Sequence, residues 1–317
     1  MCKILVTATN YSTQCKKAKE LLEHNGHEVI ENMFGRPLTF DEIKNVICDV
    51  DGVIAGVDAW DENIFVLAPK LKIISRFGIG VDNIDIVKAK EYGITVTNAR
   101  GSTNAVAELT IGLMLSVLRD IPNLDSSTRK GYWERFVGRE LSGKKVGLVG
   151  FGHIAQSVAQ KLRSFNVEIC AHDKYPDAKK AADLGVSLVS FENILEECDI
   201  VSLHIPSLKE TYHIMGEKEF QMMKEGAVFI NTARGALVDE KALYAALKSG
   251  KIAAAGLDVY EKEPVDINNP LLKLENVIAT PHTAAETYET IDKVSMITAK
   301  AIIDYFNGKE PENVLNA

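Results

Sequence analysis

Three ionisable residues in the C-terminal half, Arg234, Glu263 and His282, are of the types that move a proton and grip a small acid. Arg234 lies in NTARG (231–235), directly after the apolar run 228–230. Glu263 lies in DVYEKEP (258–264), after a strand-like run ending at Leu257, and His282 follows Pro281 and another short apolar run. Reducing a ketone by hydride leaves negative charge on the carbonyl oxygen, and histidine is the side chain whose proton is available near neutrality. A carboxylate on its other ring nitrogen would fix the ring and keep it protonated longer, each unit of pKa being worth about 1.4 kcal/mol. Arginine offers a planar fork to a substrate carboxylate and keeps its charge. A 2-oxo acid uses all three. Taken singly, each has a bland alternative: a solvated loop arginine, a turn glutamate, a structural histidine. What joins them, together with Asp258, is their position past strand ends, where open α/β sheets bind ligands.

Those positions need a sheet, and its best-marked part is KKVGLVGFGHIA (144–155). Residues 145–149 read as a buried strand, Gly150-x-Gly152-x-x-Ala155 follows, and residues 153–163 carry apolar side chains at helical spacing. Such a turn lets backbone approach a pyrophosphate and sets it on the positive end of a helix. A second strand at 167–172 ends at Asp173, twenty-one residues after Gly152. A carboxylate there binds both ribose hydroxyls of NAD and repels the 2′-phosphate of NADP. Strand, glycines, helix, strand and acid in this order imply NAD, with modest NADP use left open by Lys174 beside Asp173.

Residues 1–100 alternate strands (4–7, 28–32, 52–56, 71–75, 94–97) with helices (16–24, 41–47, 84–92). NARGST (98–103) is a polar link, 105–118 a strongly apolar helix, and a loop containing Pro122 leads through a polar, basic segment to Trp133. Strands resume at 145–149, 167–171, 199–203, 226–230, 252–257 and 276–279, and a helix at about 285–306 ends the chain. The alternation predicts an α/β protein with parallel sheets flanked by helices. The last helix has no partner in the second half, which predicts a discontinuous first domain of residues 1–100 plus 286–317 around a second of 101–285.

A length of 317 residues is long for one core and agrees with two domains. Apolar content of 46% and charged content of 25% are those of an ordinary globular protein. With 36 basic and 44 acidic residues the net charge is −8, which argues against nucleic acid or an anionic membrane as partner. Five cysteines without a CxxC pair read as reduced packing residues. The chain opens as a strand without a signal-peptide core, and the apolar run 109–118 is too short to span a bilayer, so a cytoplasmic location is expected. The remaining histidines, at 24, 27, 153, 172, 204 and 213, show no ligand spacing, so no metal is expected.

Over nearly its whole length the chain resembles the D-isomer-specific 2-hydroxyacid dehydrogenases. The matching stretches are RFGIGVDNID (76–85), NAVAELTIGLML (104–115), ELSGKKVGLVGFGHIA (140–155), VSLHIP (201–206), INTARGALVDEKAL (230–243), GLDVYEKEP (256–264) and TPHTA (280–284). The resemblance implies two Rossmann-like domains, a flavodoxin-like substrate domain and a doubly wound NAD-binding domain, with the active-site cleft between them. It also implies a homodimer built on the NAD-binding domains. By motif, Arg234 would bind the substrate carboxylate and carbonyl, Glu263 would pair with His282, and His282 would be the acid/base. Gly150, Gly152, His153 and Ile154 would meet the pyrophosphate, Asp173 the ribose, and Ile205 and Pro206 the adenosine side. Thr232, Ala233 and Asp258 would hold the nicotinamide end, with Ala284 and Ala285 near it. Gly78, Ile79 and Gly80 would offer N–H groups to the substrate carboxylate.

Within the family, RFGIGVDN (76–83) and KGYWER (130–135) look most like the phosphoglycerate dehydrogenases. That implies reversible oxidation of 3-phosphoglycerate to 3-phosphohydroxypyruvate, in serine biosynthesis, with Arg76 on the substrate phosphate and Arg100 or Arg135 assisting. The alternatives are a glyoxylate/hydroxypyruvate reductase, a D-lactate-type enzyme, or a non-enzymatic NAD(H) sensor that would not need an intact Arg–Glu–His set. The chain ends soon after its last helix, so a C-terminal regulatory domain and serine feedback are not expected. PHTAA (281–285) replaces the more usual glycine-containing segment, which narrows the expected pocket.

Overall fold

Short apolar runs separated by helices build two parallel sheets in the computed structural model, which describes all residues except Asn10 and Glu134. The Glu134 position of KGYWER therefore lies outside the described residues. The first sheet holds β1 (Lys3–Val6), β2 (Glu28–Glu31), β3 (Gly52–Ala55), β4 (Ile73–Arg76) and β5 (Thr95–Asn98), in the order β2-β1-β3-β4-β5. All its pairings are parallel, and the order is the flavodoxin-like one. Side chains alternate between its faces as the pleat demands. Leu5, Val53, Ile74 and Val96 pack with Trp60 and Phe65 on one side. Ile4, Val6, Ile54 and Ile73 pack with Tyr11 and Leu22 on the other.

The helix Tyr288–Phe306 closes that second face with Ala299 and Ile302. The first compact unit accordingly comprises Met1–Ser102 and Glu286–Ala317, and the second Thr103–Ala285. The helix begins at Tyr288 and not near 285 because Thr287 caps it, its hydroxyl accepting the Thr290 N–H at 3.2 Å.

The second sheet holds β6 (Lys145–Val149), β7 (Glu168–His172), β8 (Ser187–Leu188), β9 (Ile200–Leu203), β10 (Ala227–Asn231), β11 (Ile252–Leu257) and β12 (Val277–Ala279). Its order is β12-β11-β10-β9-β6-β7-β8, all parallel, so the winding reverses between β6 and β9. The helix Thr103–Arg119 buries Ile111, Leu113 and Met114 against Val228 and Ile230 of β10.

The loop expected around Pro122 is instead the helix Ile121–Arg129. Proline falls in its first turn, where a missing N–H costs nothing, so it marks a start and not a break. The two-residue β8 and the one-turn helix Glu62–Phe65 are too short to leave a periodic pattern. Among the described residues, no helix is long and apolar enough to cross a membrane.

Candidate active site

The reversal between β6 and β9 is where the glycine turn sits. Gly150 has φ +98°, and a Cβ there would lie 2.5 Å from the His204 carbonyl oxygen just past β9, so only glycine fits. A Cβ on Gly152 would meet nothing within 4 Å, which leaves the next step of the turn open to a ligand. Gly152 begins the helix His153–Leu162 with no side-chain cap, and the first intrahelical bond runs from Gln156 N–H to Gly152 O at 2.9 Å. The amides of His153 and Ile154 therefore form an uncapped, positively polarised helix start, while Ala155 is buried against the sheet.

Asp173 follows β7 and is tied to this turn: Oδ2 accepts the Phe151 N–H at 2.7 Å and Oδ1 the Tyr175 N–H at 2.8 Å. Each oxygen keeps a lone pair for a ribose hydroxyl. Ile205 and Pro206 lie past β9, with Ile205 Cγ2 2.8 Å from where a Gly150 Cβ would be. Thr232, past β10, is buried with its hydroxyl 2.8 Å from that of Thr110, and Ala233 N–H donates to Asn231 Oδ1 at 3.0 Å. These residues fit a dinucleotide.

His204, beside the turn, has Nε2 3.0 Å from the Ser202 hydroxyl, and burial pushes its pKa down to about 4. A histidine in the unfolded chain titrates near 6.5. Between these values the unfolded chain takes a proton that the folded chain refuses. The contribution of neutral His204 to stability is therefore full above about pH 6.5 and is lost as pH falls toward 4. His204→Gln should flatten that acid-side fall in melting temperature, and an unchanged slope would remove His204 as its source.

His282 sits beyond β12 with φ +51°, a left-handed backbone that few non-glycine residues hold. Its N–H donates to Asp258 O at 2.8 Å and to Thr280 O at 3.1 Å. Asp258 is wholly buried, and its carboxylate accepts the Thr280 hydroxyl at 2.6 Å and the Thr283 and Ala284 N–H groups at 2.9 Å each. A buried charge with three donors is satisfied, and these three flank His282 on both sides. The carboxylate expected at the nicotinamide end thus anchors the loop of the histidine.

His282 Nδ1 lies 2.6 Å from Glu263 Oε2, and Glu263 Oε1 accepts the Tyr260 N–H at 3.0 Å. Burial pushes the Glu263 carboxyl up, but hydrogen bonds from His282 and Tyr260, with the charges of His282 and Arg234, outweigh it and hold the group below the ordinary glutamate value. Glu263 is therefore an anion across the neutral range, and Nε2 of the half-exposed ring is left to meet a ligand. Tyr260, not singled out by sequence, is buried, and its hydroxyl donates toward Leu257 O at 3.3 Å and Thr280 O at 3.1 Å, joining the loops of Glu263 and His282. Its signal was an aromatic residue inside DVYEKEP.

Arg234 follows β10 in a turn shaped by buried Asn231, whose Nδ2 donates to Arg234 O at 2.9 Å. The guanidinium donates to Ala233 O at 2.6 Å, and its charge reaches Glu263. Arg234, Glu263 and His282 are thus brought to neighbouring strand ends of one sheet, with the glycine turn on that same edge.

In the first unit, Gly78, Ile79 and Gly80 follow β4. Gly78 has φ +143°, its carbonyl accepts the Ala99 N–H at 3.0 Å, and Asn98 Nδ2 donates to Ile79 O at 2.8 Å. The Arg76 guanidinium donates to Phe77 O within its own loop and lies 3.1 Å from where a Gly78 Cβ would be. Arg100 is exposed in this unit, and Arg135 is exposed in the second. Among the described residues, no three His, Cys, Asp or Glu side chains are grouped to hold a metal ion.

Residues 111–284 match the family described as D-isomer specific 2-hydroxyacid dehydrogenase, NAD binding domain. The chain is similar to the D-3-phosphoglycerate dehydrogenase of Archaeoglobus fulgidus, 45% identical over 259 residues, covering 81% of this chain and 49% of that protein. It therefore spans about half the length of that relative. It is also similar to the glyoxylate reductase of Thermococcus litoralis, 39% identical over 313 residues, covering 93% of this chain and 94% of that one. Among solved structures, the TT0316 protein from Thermus thermophilus is similar with a TM-score of 0.91 at 34% identity, over 99% of each chain. A glyoxylate reductase from Paecilomyes thermophila is similar with a TM-score of 0.88 at 31% identity, over 99% of this chain and 98% of that one.

Proposed function

The chain belongs to the D-isomer specific 2-hydroxyacid dehydrogenases, and from that premise we propose that it interconverts a D-2-hydroxy acid and its 2-oxo acid with NAD(H). The observation that carries this is the 2.6 Å pair of Glu263 and His282 with the charge of Arg234 beside it, at the sheet edge that also holds the glycine turn. Gly150, Gly152, His153 and Ile154 hold the pyrophosphate of the cofactor, Asp173 its ribose, and Ile205 and Pro206 its adenosine side. Thr232, Ala233, Ala284 and Ala285 line the nicotinamide end, near the Asp258-anchored loop. Bound NAD(H) supplies or accepts the hydride. His282 Nε2 gives a proton to the oxygen that gains charge on reduction and takes it back on oxidation. Glu263 fixes the ring through Nδ1 and balances the imidazolium, and Arg234 holds the substrate carboxylate in a two-pronged grip.

For the substrate we propose 3-phosphoglycerate and 3-phosphohydroxypyruvate. RFGIGVDN supports this, as do the phosphoglycerate dehydrogenases of two archaea at 45% and 42% identity. On this reading Gly78, Ile79 and Gly80 are assigned to the substrate carboxylate and Arg76 to its phosphate. A second reading, reduction of glyoxylate or hydroxypyruvate, is favoured by the Arg76 guanidinium being bonded within its own loop and by glyoxylate reductases that match along almost their whole length. NADH oxidation against phosphohydroxypyruvate, hydroxypyruvate, glyoxylate and pyruvate decides. A kcat/KM at least about tenfold higher for the phosphorylated acid is expected, since a charged hydrogen bond contributes about 1.5 to 3 kcal/mol. Preference for an unphosphorylated acid replaces the substrate and keeps the mechanism, and no turnover with any of them ends the dehydrogenase reading.

We further propose a homodimer, because Tyr132, Trp133, Phe136 and Val137 are all more than half exposed within one short segment of the second unit. A monomer in light scattering would contradict it. A cytoplasmic location fits five thiols that form no disulfide, and recovery from an oxidising compartment would contradict that.

A further inference from the structure

Past β9 the chain runs parallel to, and is bonded with, the residues that follow Arg234. His213 N–H donates to Ala236 O at 2.9 Å, Met215 N–H to Leu237 O at 3.0 Å, and Asp239 N–H to Met215 O at 3.0 Å. From this zipped segment the His213 ring reaches to the other loop of the site, where Nε2 is hydrogen-bonded to Glu261 Oε1. Glu261 stands two residues before Glu263, so the loop that carries the first imidazole–carboxylate pair carries one carboxylate of a second.

Everything around this pair fixes its geometry. His213 has φ +50°, a conformation that persists in a non-glycine residue only where its surroundings impose it. The Tyr212 ring is stacked on the imidazole, with centroids 3.9 Å apart and planes 15° from parallel. Glu261 N–H donates to Glu240 Oε1 at 2.9 Å, and Glu240 Oε2 accepts Asn269 Nδ2 at 2.7 Å. Beside them the two loops touch backbone to backbone: a Cβ on Gly235 would lie 1.9 Å from the carbonyl carbon and oxygen of Tyr260. The same Tyr260 supplies the N–H that holds Glu263 Oε1.

We infer that His213 is a positioning residue, gripping Glu261 so that the loop of Glu263 stays seated on the turn of Arg234. This rests on the dehydrogenase reading above. Both side chains of the pair are about one-third exposed, so water damps their attraction and the pair adds little to global stability. Its effect is local. It keeps the Tyr260–Glu261 peptide against Gly235, hence the Tyr260 N–H on Glu263, hence the His282 ring at a set distance from Arg234.

The test compares His213→Ala with His213→Gln, whose Nε2–H stands where the ring Nε2–H stood. Hydrogen exchange of segment 258–264 reads the loop without turnover, and kinetics on the preferred 2-oxo acid read the site. His213→Ala should speed exchange in 258–264, leave NADH affinity and the global melting temperature nearly unchanged, and lower kcat/KM about tenfold, as small misplacements of reacting groups do. His213→Gln should restore both exchange and kcat/KM. Unchanged exchange in His213→Ala overturns the inference. So does faster exchange with unaltered kcat/KM in an active enzyme, or a loss that follows melting temperature alone. If the wild-type chain turns over no 2-oxo acid, the proposed function fails by itself. Exchange that His213→Ala speeds and His213→Gln slows still supports the grip on the loop, and identical exchange in both overturns it.

Discussion

Replacing His282 with asparagine is expected to lower kcat by about 10²- to 10⁴-fold while leaving NADH affinity within about twofold, the span that general acid–base catalysis contributes. Asparagine is chosen because the backbone at 282 is left-handed, and asparagine tolerates that region better than most residues. The Asp258 anchor bonds to the flanking amides and to Thr280, so the loop should keep its shape in the variant. What is lost is a titratable proton donor. The pH profile of kcat should lose the limb that the histidine controls, and Glu263 should keep only the Tyr260 N–H of its two close partners. Stopped-flow or steady-state kinetics with a parallel fluorescence titration of NADH checks this. A kcat within about threefold of wild type would remove His282 from proton transfer. It would also bring the NAD(H)-sensing alternative forward, since a sensor binds cofactor without needing that proton.

The cofactor turn was legible because its signature residues follow one another in a single strand–turn–helix unit and the strand after it. Gly150 turns the chain with φ +98°, Gly152 opens the helix and Ala155 packs on the sheet, all within that unit. Asp173 is placed by the adjacent strand, so the order of residues along the chain carries most of the geometry. The close approach of the His204 carbonyl to Gly150 comes from a distant strand and could not be read there. The parallel sheets were legible for the same reason, as β-strands buried on both faces read as continuous apolar runs. Arg234, Glu263 and His282 could be grouped because each lies just past such a run, and the end of a strand is a place on the sheet edge.

What stayed hidden depends on segments far apart in the chain. Nothing near Asp258 in sequence says that its carboxylate will accept amides from Thr283 and Ala284. Nothing near His213 says that its ring will meet Glu261 across 48 positions. Both contacts follow from β9, β11 and β12 bringing their C-terminal loops to one edge, which is a property of strand order and not of any window of residues. Gly235 shows the same limit from the other direction. A glycine after arginine reads as a flexible turn, yet it is required because the Tyr260 peptide lies against it. Pro122 misled for a local reason: proline punctuates a helix at its start as well as at its end.

Arg234→Gln is expected to lower kcat/KM for a 2-oxo acid by about 10²- to 10³-fold, mostly through KM, since removing one partner of a charged pair costs several kcal/mol and each 1.4 kcal/mol is about tenfold. Arg234→Lys should recover only part of this, because an ammonium supplies the charge without the two-pronged fork. The substitution also takes away a positive charge felt by Glu263. Burial then pushes that carboxyl up with less opposition, but the hydrogen bonds from His282 and Tyr260 remain, so Glu263 should stay ionised at neutral pH and kcat should fall much less than KM rises. The guanidinium's bond to Ala233 O is removed as well, but Asn231 and the close seat of Gly235 on Tyr260 still hold the turn, so melting temperature and NADH affinity should change far less than KM. The split between KM and kcat therefore tells two roles of one residue apart. A rise in KM alone assigns Arg234 to the substrate carboxylate. An equal fall in kcat, accompanied by a shifted pH profile, would instead make it the charge that keeps Glu263 fit to orient His282.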